Sequence, residues 1–103
     1  MSELSITKKR ENEKLTLFAE GRADTSTSDL LAKEAKADLD DIKELEINVE
    51  NLKYISSSGL RVLMSLNKIM TGKGGKMTVV KPTKMVAEVF DVTGFSNVLN
   101  IVK

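Results

Sequence analysis

Apolar residues along this chain change period several times, and each change marks an element. Leu4 and Ile6 alternate with Ser5 and Thr7, and Leu15, Leu17 and Ala19 alternate with Thr16 and Glu20. A period of two belongs to a strand with one buried face. The polar Glu11-Asn12-Glu13 between the two runs predicts a hairpin. Phe18 breaks the polar set of the second run, which predicts a partial cover over that strand's other face. Gly21-Arg22-Ala23-Asp24 ends the hairpin. The following Thr25-Ser26-Thr27-Ser28-Asp29 is rich in helix-capping residues, with Ser26 and Asp29 spaced as a capping box. Leu31, Ala35 and Leu39 then recur at intervals of four, the buried stripe of a first helix.

Leu45, Ile47 and Val49 alternate with Glu46, Asn48 and Glu50, a third strand whose acidic side faces water. A parallel strand covered on both faces would instead read as a continuous apolar run. From about Ser58 to Thr71 the spacing turns helical, and Leu60, Val62, Leu63, Met64, Leu66, Ile69 and Met70 cover most of the circumference. Arg61, Ser65 and Lys68 fall in one narrow polar wedge, with Met64 at its edge as the candidate exposed apolar contact. Gly72-Lys73-Gly74-Gly75 stops that helix, and Met77 and Val79 form a fourth strand with Pro82 at its exit. Lys84 to Val92 reads as a short third helix with Val86, Val89 and Phe90 inward, and Leu99 and Ile101 as a last strand or extended tail. The expectation is an α/β fold in which a mixed four- to five-stranded sheet carries helices mainly on one face, as a single domain over residues 1–103.

Composition narrows the chemistry. With 16 Lys and Arg against 15 Asp and Glu, all scattered, nothing marks a nucleic-acid or anionic-membrane surface. No cysteine and no histidine are present, which removes disulfides, thiolate nucleophiles, the commonest general base and the commonest zinc ligands. No cofactor or metal site is expected. No signal peptide or membrane-length apolar run is visible, so a cytoplasmic location is expected.

Chemical interest concentrates in Tyr54-Ile55-Ser56-Ser57-Ser58-Gly59-Leu60-Arg61, where a serine run opens the second helix. Serine caps helices well, and a helix N-terminus tolerates an attached phosphate because free N–H groups and the positive dipole end point at it. The run fits a redundant cap as well as a hydroxyl presented for modification. Gly72-Lys73-Gly74-Gly75-Lys76 lacks phosphate-loop spacing and precedes a strand rather than a helix. Ser65-Leu66-Asn67-Lys68 matches S-x-x-K literally, but so does Ser5-Ile6-Thr7-Lys8 in a strand, which shows how cheap that match is. No nucleophile elbow is present, and no catalytic constellation emerges.

The serine stretch resembles the signature loop of the STAS domain found in bacterial anti-sigma factor antagonists. Gly21-Arg22-Ala23-Asp24, Gly74-Gly75-Lys76, Pro82 and Val92-Thr93-Gly94-Phe95 match the same family in order and spacing, so the resemblance covers nearly the whole chain. It implies partner switching. An anti-sigma factor acting as a GHKL-type serine kinase phosphorylates a loop serine, a PP2C-type phosphatase removes the phosphate, and the unmodified antagonist binds the anti-sigma factor. Such a protein is not an enzyme. The family pattern Asp-Ser-Ser/Thr-Gly-Leu places the phosphoacceptor at Ser57, with Ser58 second in rank, and puts Ser56 where the family has aspartate. Partner contacts are expected at Asp24, Ser56, Ser58, Gly59, Arg61 and Met64. Ser58 is expected to cap the helix and Ser56 to lie toward the preceding strand. The alternative is a phosphorylation-independent STAS module in another complex, in lipid transport or signalling, which the missing aspartate keeps open.

Overall fold

A computed structural model describes residues 3–103. The expected hairpin is formed by β1 (Leu4–Glu11) and β2 (Lys14–Ala23), antiparallel and in register from Leu4 opposite Gly21 to Glu11 opposite Lys14. Its turn places Asn12 at φ 56°, a left-handed conformation that asparagine tolerates. Further along, β2 runs parallel to β3 (Glu44–Asn48) through its first half and parallel to β4 (Leu52–Ile55) through its last residues, with a register shift between Gly21 and Arg22. Gly21 is needed there. Its φ is +106°, and a Cβ would stand 2.1 Å from the Glu3 carbonyl oxygen. Two further parallel pairings, β3 with β5 (Lys76–Val80) and β5 with β6 (Asn100–Val102), complete the order β1-β2-β3-β5-β6, with β4 beside β2.

Helices supply the crossovers that parallel neighbours require. Helix α1 (Ser28–Lys36) joins β2 to β3, α2 (Ser57–Gly72) joins β4 to β5, and α3 (Lys84–Thr93) with a 3-10 turn at Phe95–Asn97 joins β5 to β6. One face of the sheet (Leu15, Leu17, Ala19, Leu45, Ile47, Met77, Val79) meets Leu31 and Ala35 of α1, Leu60, Leu63, Leu66 and Met70 of α2, and Val86 and Phe90 of α3 in a single buried cluster. The helices therefore lie on one face, as the alternating strands imply.

Three local readings change. The sheet has six strands instead of four or five, because the short Leu52–Ile55 segment pairs with the end of β2 as a further strand. The capping box at Ser26 and Asp29 does not form: Thr27 is the N-cap of α1, without a side-chain cap bond, and the buried Leu39 lies beyond the helix end. Finally, the partial cover over Phe18 comes from side chains of neighbouring strands, among them Lys9, Thr16 and Asn48, and the residue stays 38% exposed on the open sheet face.

Candidate functional site around the start of α2

Parallel strands deliver their C-terminal ends to one edge of the sheet, and here β2 and β4 end side by side. The Ser56 N–H donates to the Ala23 carbonyl (2.8 Å), extending the β2–β4 pairing by one residue. Ser56 then turns the chain: it is extended (φ −93°, ψ 176°), its carbonyl accepts from Leu60 N–H at 2.9 Å, and its hydroxyl accepts from Gly59 N–H at 3.4 Å. Ser56 is thus the N-cap of α2, in place of Ser58. The reason is positional, since a cap must keep extended geometry and only Ser56 still belongs to the sheet edge.

That shift sets the roles of its neighbours. Ser57 is the first helical residue and is exposed, and its hydroxyl makes no hydrogen bond among the described residues. Ser58 follows half-buried. Gly59 is buried, and a Cβ there would stand 2.8 Å from Ile55 Cγ1, 3.0 Å from the Ala23 carbonyl oxygen and 3.2 Å from Ala23 Cβ. The glycine lets the first turn of α2 sit directly on the ends of β2 and β4. Arg61 and Met64 follow Ser57 by four and seven residues, which brings all three to one helix face. Arg61 is exposed and Met64 half-buried, and Arg61 has no ion pair among the described residues.

Asp24 holds the adjacent turn. Its Oδ1 accepts from the Ser26 hydroxyl (2.7 Å) and the Ser26 N–H (3.0 Å), and lies 3.3 Å from the Thr27 hydroxyl oxygen. Hydrogen bonding, first from the Ser26 hydroxyl and then from the Ser26 N–H and Thr27, holds the carboxyl below its ordinary value, against a smaller opposing effect of burial. The buried Thr27 hydroxyl also accepts from the Asp24 N–H (2.9 Å) and lies 2.8 Å from the Arg22 carbonyl oxygen, to which it donates. The Ser28 hydroxyl donates to the Asp24 carbonyl at 2.6 Å. Asp24 therefore fixes the ledge against which the Ser56 turn is built, and its Oδ2 is left 3.8 Å from Arg22 Nε.

Arg22 and Tyr54, absent from the sequence-derived site, are paired across β2 and β4, with the guanidinium 4.4 Å from the ring centroid. Recognising β4 as a strand in register with the end of β2 is what would have revealed them.

The fold and this turn define a class. The STAS domain family model matches residues 5–103, and the chain belongs to that family. Solved structures share the fold at low identity. An anti-sigma factor antagonist from Mycobacterium paratuberculosis is similar at TM-score 0.87 and 18% identity, covering 96% of this chain and 85% of that one. The anti-sigma factor antagonist SpoIIAA in its unphosphorylated form is similar at TM-score 0.80 and 17% identity, over 96% of this chain and 89% of that one. The Bacillus cell fate determinant SpoIIAA in its phosphorylated form gives TM-score 0.74 and 14% identity, over 96% and 92%. Among the described residues no helix is long and apolar enough to cross a membrane.

Proposed function

We propose that this chain is an anti-sigma factor antagonist, a cytoplasmic binding protein without catalysis of its own, whose affinity for an anti-sigma serine kinase is set by phosphorylation of Ser57. The observation that carries this reading is the placement of Ser57: an exposed, unengaged hydroxyl on the first residue of α2, on the same face as Arg61 and Met64. The similarity to SpoIIAA, solved in both unphosphorylated and phosphorylated forms, supports it.

The physics of the switch follows from that placement. A phosphoserine adds about −1.5 to −2 charges and three strong acceptors. At the N-terminus of α2 this charge meets the positive end of the helix dipole and the free N–H groups of the first turn, so the domain itself accommodates it. In an interface the same charge must be desolvated or paired, and a charge left unmatched there costs several kcal/mol. A PP2C-type phosphatase restores the binding form. A second reading rests on Ser56, which offers Ser57 a neutral hydroxyl already engaged as a cap where antagonists carry a carboxylate. It makes the chain a STAS module that binds its partner without phosphorylation.

Titration of Ser57→Asp and Ser57→Ala proteins against a serine-kinase anti-sigma factor from the same organism separates the two. The switch predicts at least about tenfold weaker binding for Ser57→Asp, equivalent to about 1.4 kcal/mol, and unchanged binding for Ser57→Ala. Equal affinity of both variants and the wild type refutes the switch and leaves the constitutive module.

A further inference from the structure

Helix α3 buries Val86 and Phe90 and turns a second apolar stripe outward. Met85, Val89 and Val92 follow one another by four and three residues, the spacing that aligns side chains on one helix face. Met85 is 59% and Val92 80% exposed, and Val89 is half-buried. A β-branched residue this exposed gains nothing from burial and is a middling helix former. The outward wedge of α2, by contrast, carries Arg61, Ser65 and Lys68.

Charges flank the stripe on one side. Glu88 borders a shallow apolar hollow with Met85, Val89 and Val92. Lys84 and Asp91 share with Glu88 the hollow on the next face. Neither Lys84 nor Glu88 forms an ion pair among the described residues, and Asp91 uses one carboxylate oxygen to accept from the Ser96 hydroxyl. Lys84 and Asp91 are seven residues apart, about two turns, on the same flank. A base in the first turn and an acid two turns later make this flank complementary to an antiparallel copy of itself. A two-fold axis passing near Glu88 sets Met85 against Val92 of the second copy and brings Lys84 to Asp91 twice. Glu88 then approaches its own copy and opposes the pairing. The net charge of +1 adds little long-range repulsion between copies.

We propose that α3 is a self-association surface on which two copies of this chain pack antiparallel across a two-fold axis, with Met85, Val89 and Val92 at the seam. One short helix from each copy falls below the area of standard stable interfaces, so the dimer is a weak one. The test is sedimentation velocity of the full chain from micromolar concentrations to about 1 mM, with circular dichroism melts showing that each variant folds. The wild type should dimerise with rising concentration, and Val92→Asp should remain monomeric throughout. Lys84→Asp should weaken association at least about threefold, adding Asp91→Lys should restore it, and Glu88→Gln should tighten it. A wild type that stays monomeric at about 1 mM, or a dimer that survives Val92→Asp unchanged, overturns the proposal. Weaker association of Glu88→Gln would remove the two-fold axis from this helix.

Discussion

Two glycines in α2 invite the same substitution with opposite outcomes. Replacing glycine by alanine within a helix gains about 0.5–1 kcal/mol, because the unfolded chain loses freedom and alanine is the better helix former. At Gly72, the last residue of α2, an added Cβ meets nothing within 4 Å, so Gly72→Ala should realise much of that gain. At Gly59 the added Cβ would stand 3.0 Å from the Ala23 carbonyl oxygen and 2.8 Å from Ile55 Cγ1. Ile55 is 3% exposed and Ala23 fully buried, so neither neighbour has room to retreat. Overpacking of this kind costs about 1–3 kcal/mol, which exceeds the helical gain. Gly59→Ala should therefore be destabilised by up to about 2 kcal/mol, and the two variants should differ by about 1–3 kcal/mol. Urea unfolding followed by circular dichroism measures both directly. A Gly59→Ala protein as stable as Gly72→Ala would refute the close seating of α2 on the ends of β2 and β4.

Leu63 is 1% exposed beneath α2, and Leu63→Ala should cost about 2–5 kcal/mol in the same assay; a loss under about 0.5 kcal/mol would contradict the layering. Ser56→Asp keeps the cap, whose hydroxyl contact is a long 3.4 Å, and adds a negative charge at the dipole's positive end. It should stabilise by about 0.3–1 kcal/mol, whereas Ser58→Ala, which leaves the Ser56 cap in place, should leave stability nearly unchanged. Asp24 sits below its ordinary carboxyl value, so its contribution is fully present above the unfolded-state value and is lost as pH falls through the lowered folded one. The stability gap between wild type and Asp24→Asn should accordingly be constant near neutrality and narrow only in acid below about pH 4. A gap unchanged down to about pH 2 would dissociate that carboxyl from the turn.

Much of this architecture is legible in residue spacing, and what escapes it has a common cause. The alternations around Leu15, Leu17, Leu45 and Ile47 name strands because each carries several inward side chains. β4 has four residues, two of them inward, and exists as a strand through its pairing with the end of β2. Missing β4 hid two further features. Arg22 and Tyr54 meet only across that pairing, and the serine run gave no local sign of which hydroxyl caps α2. Ser56, Ser57 and Ser58 are chemically equal caps; the bond from Ser56 N–H to Ala23 breaks the tie. The Ser26–Asp29 spacing misled for a related reason, since Asp24, outside the box, captures Ser26 and Thr27 into its own turn. Phe18 shows the limit of reasoning from one apolar residue out of step: the alternation around it holds, and neighbouring strand side chains shield the ring only in part.

Control by phosphorylation turns on which hydroxyl the kinase finds. Incubating the purified chain with a serine-kinase anti-sigma factor from the same organism and ATP, then mapping the product by mass spectrometry, identifies that hydroxyl. One phosphate on Ser57 is expected, absent from Ser57→Ala and removed by a PP2C-type phosphatase. Phosphate on Ser58, or none at all while the two proteins still bind, would contradict control at Ser57.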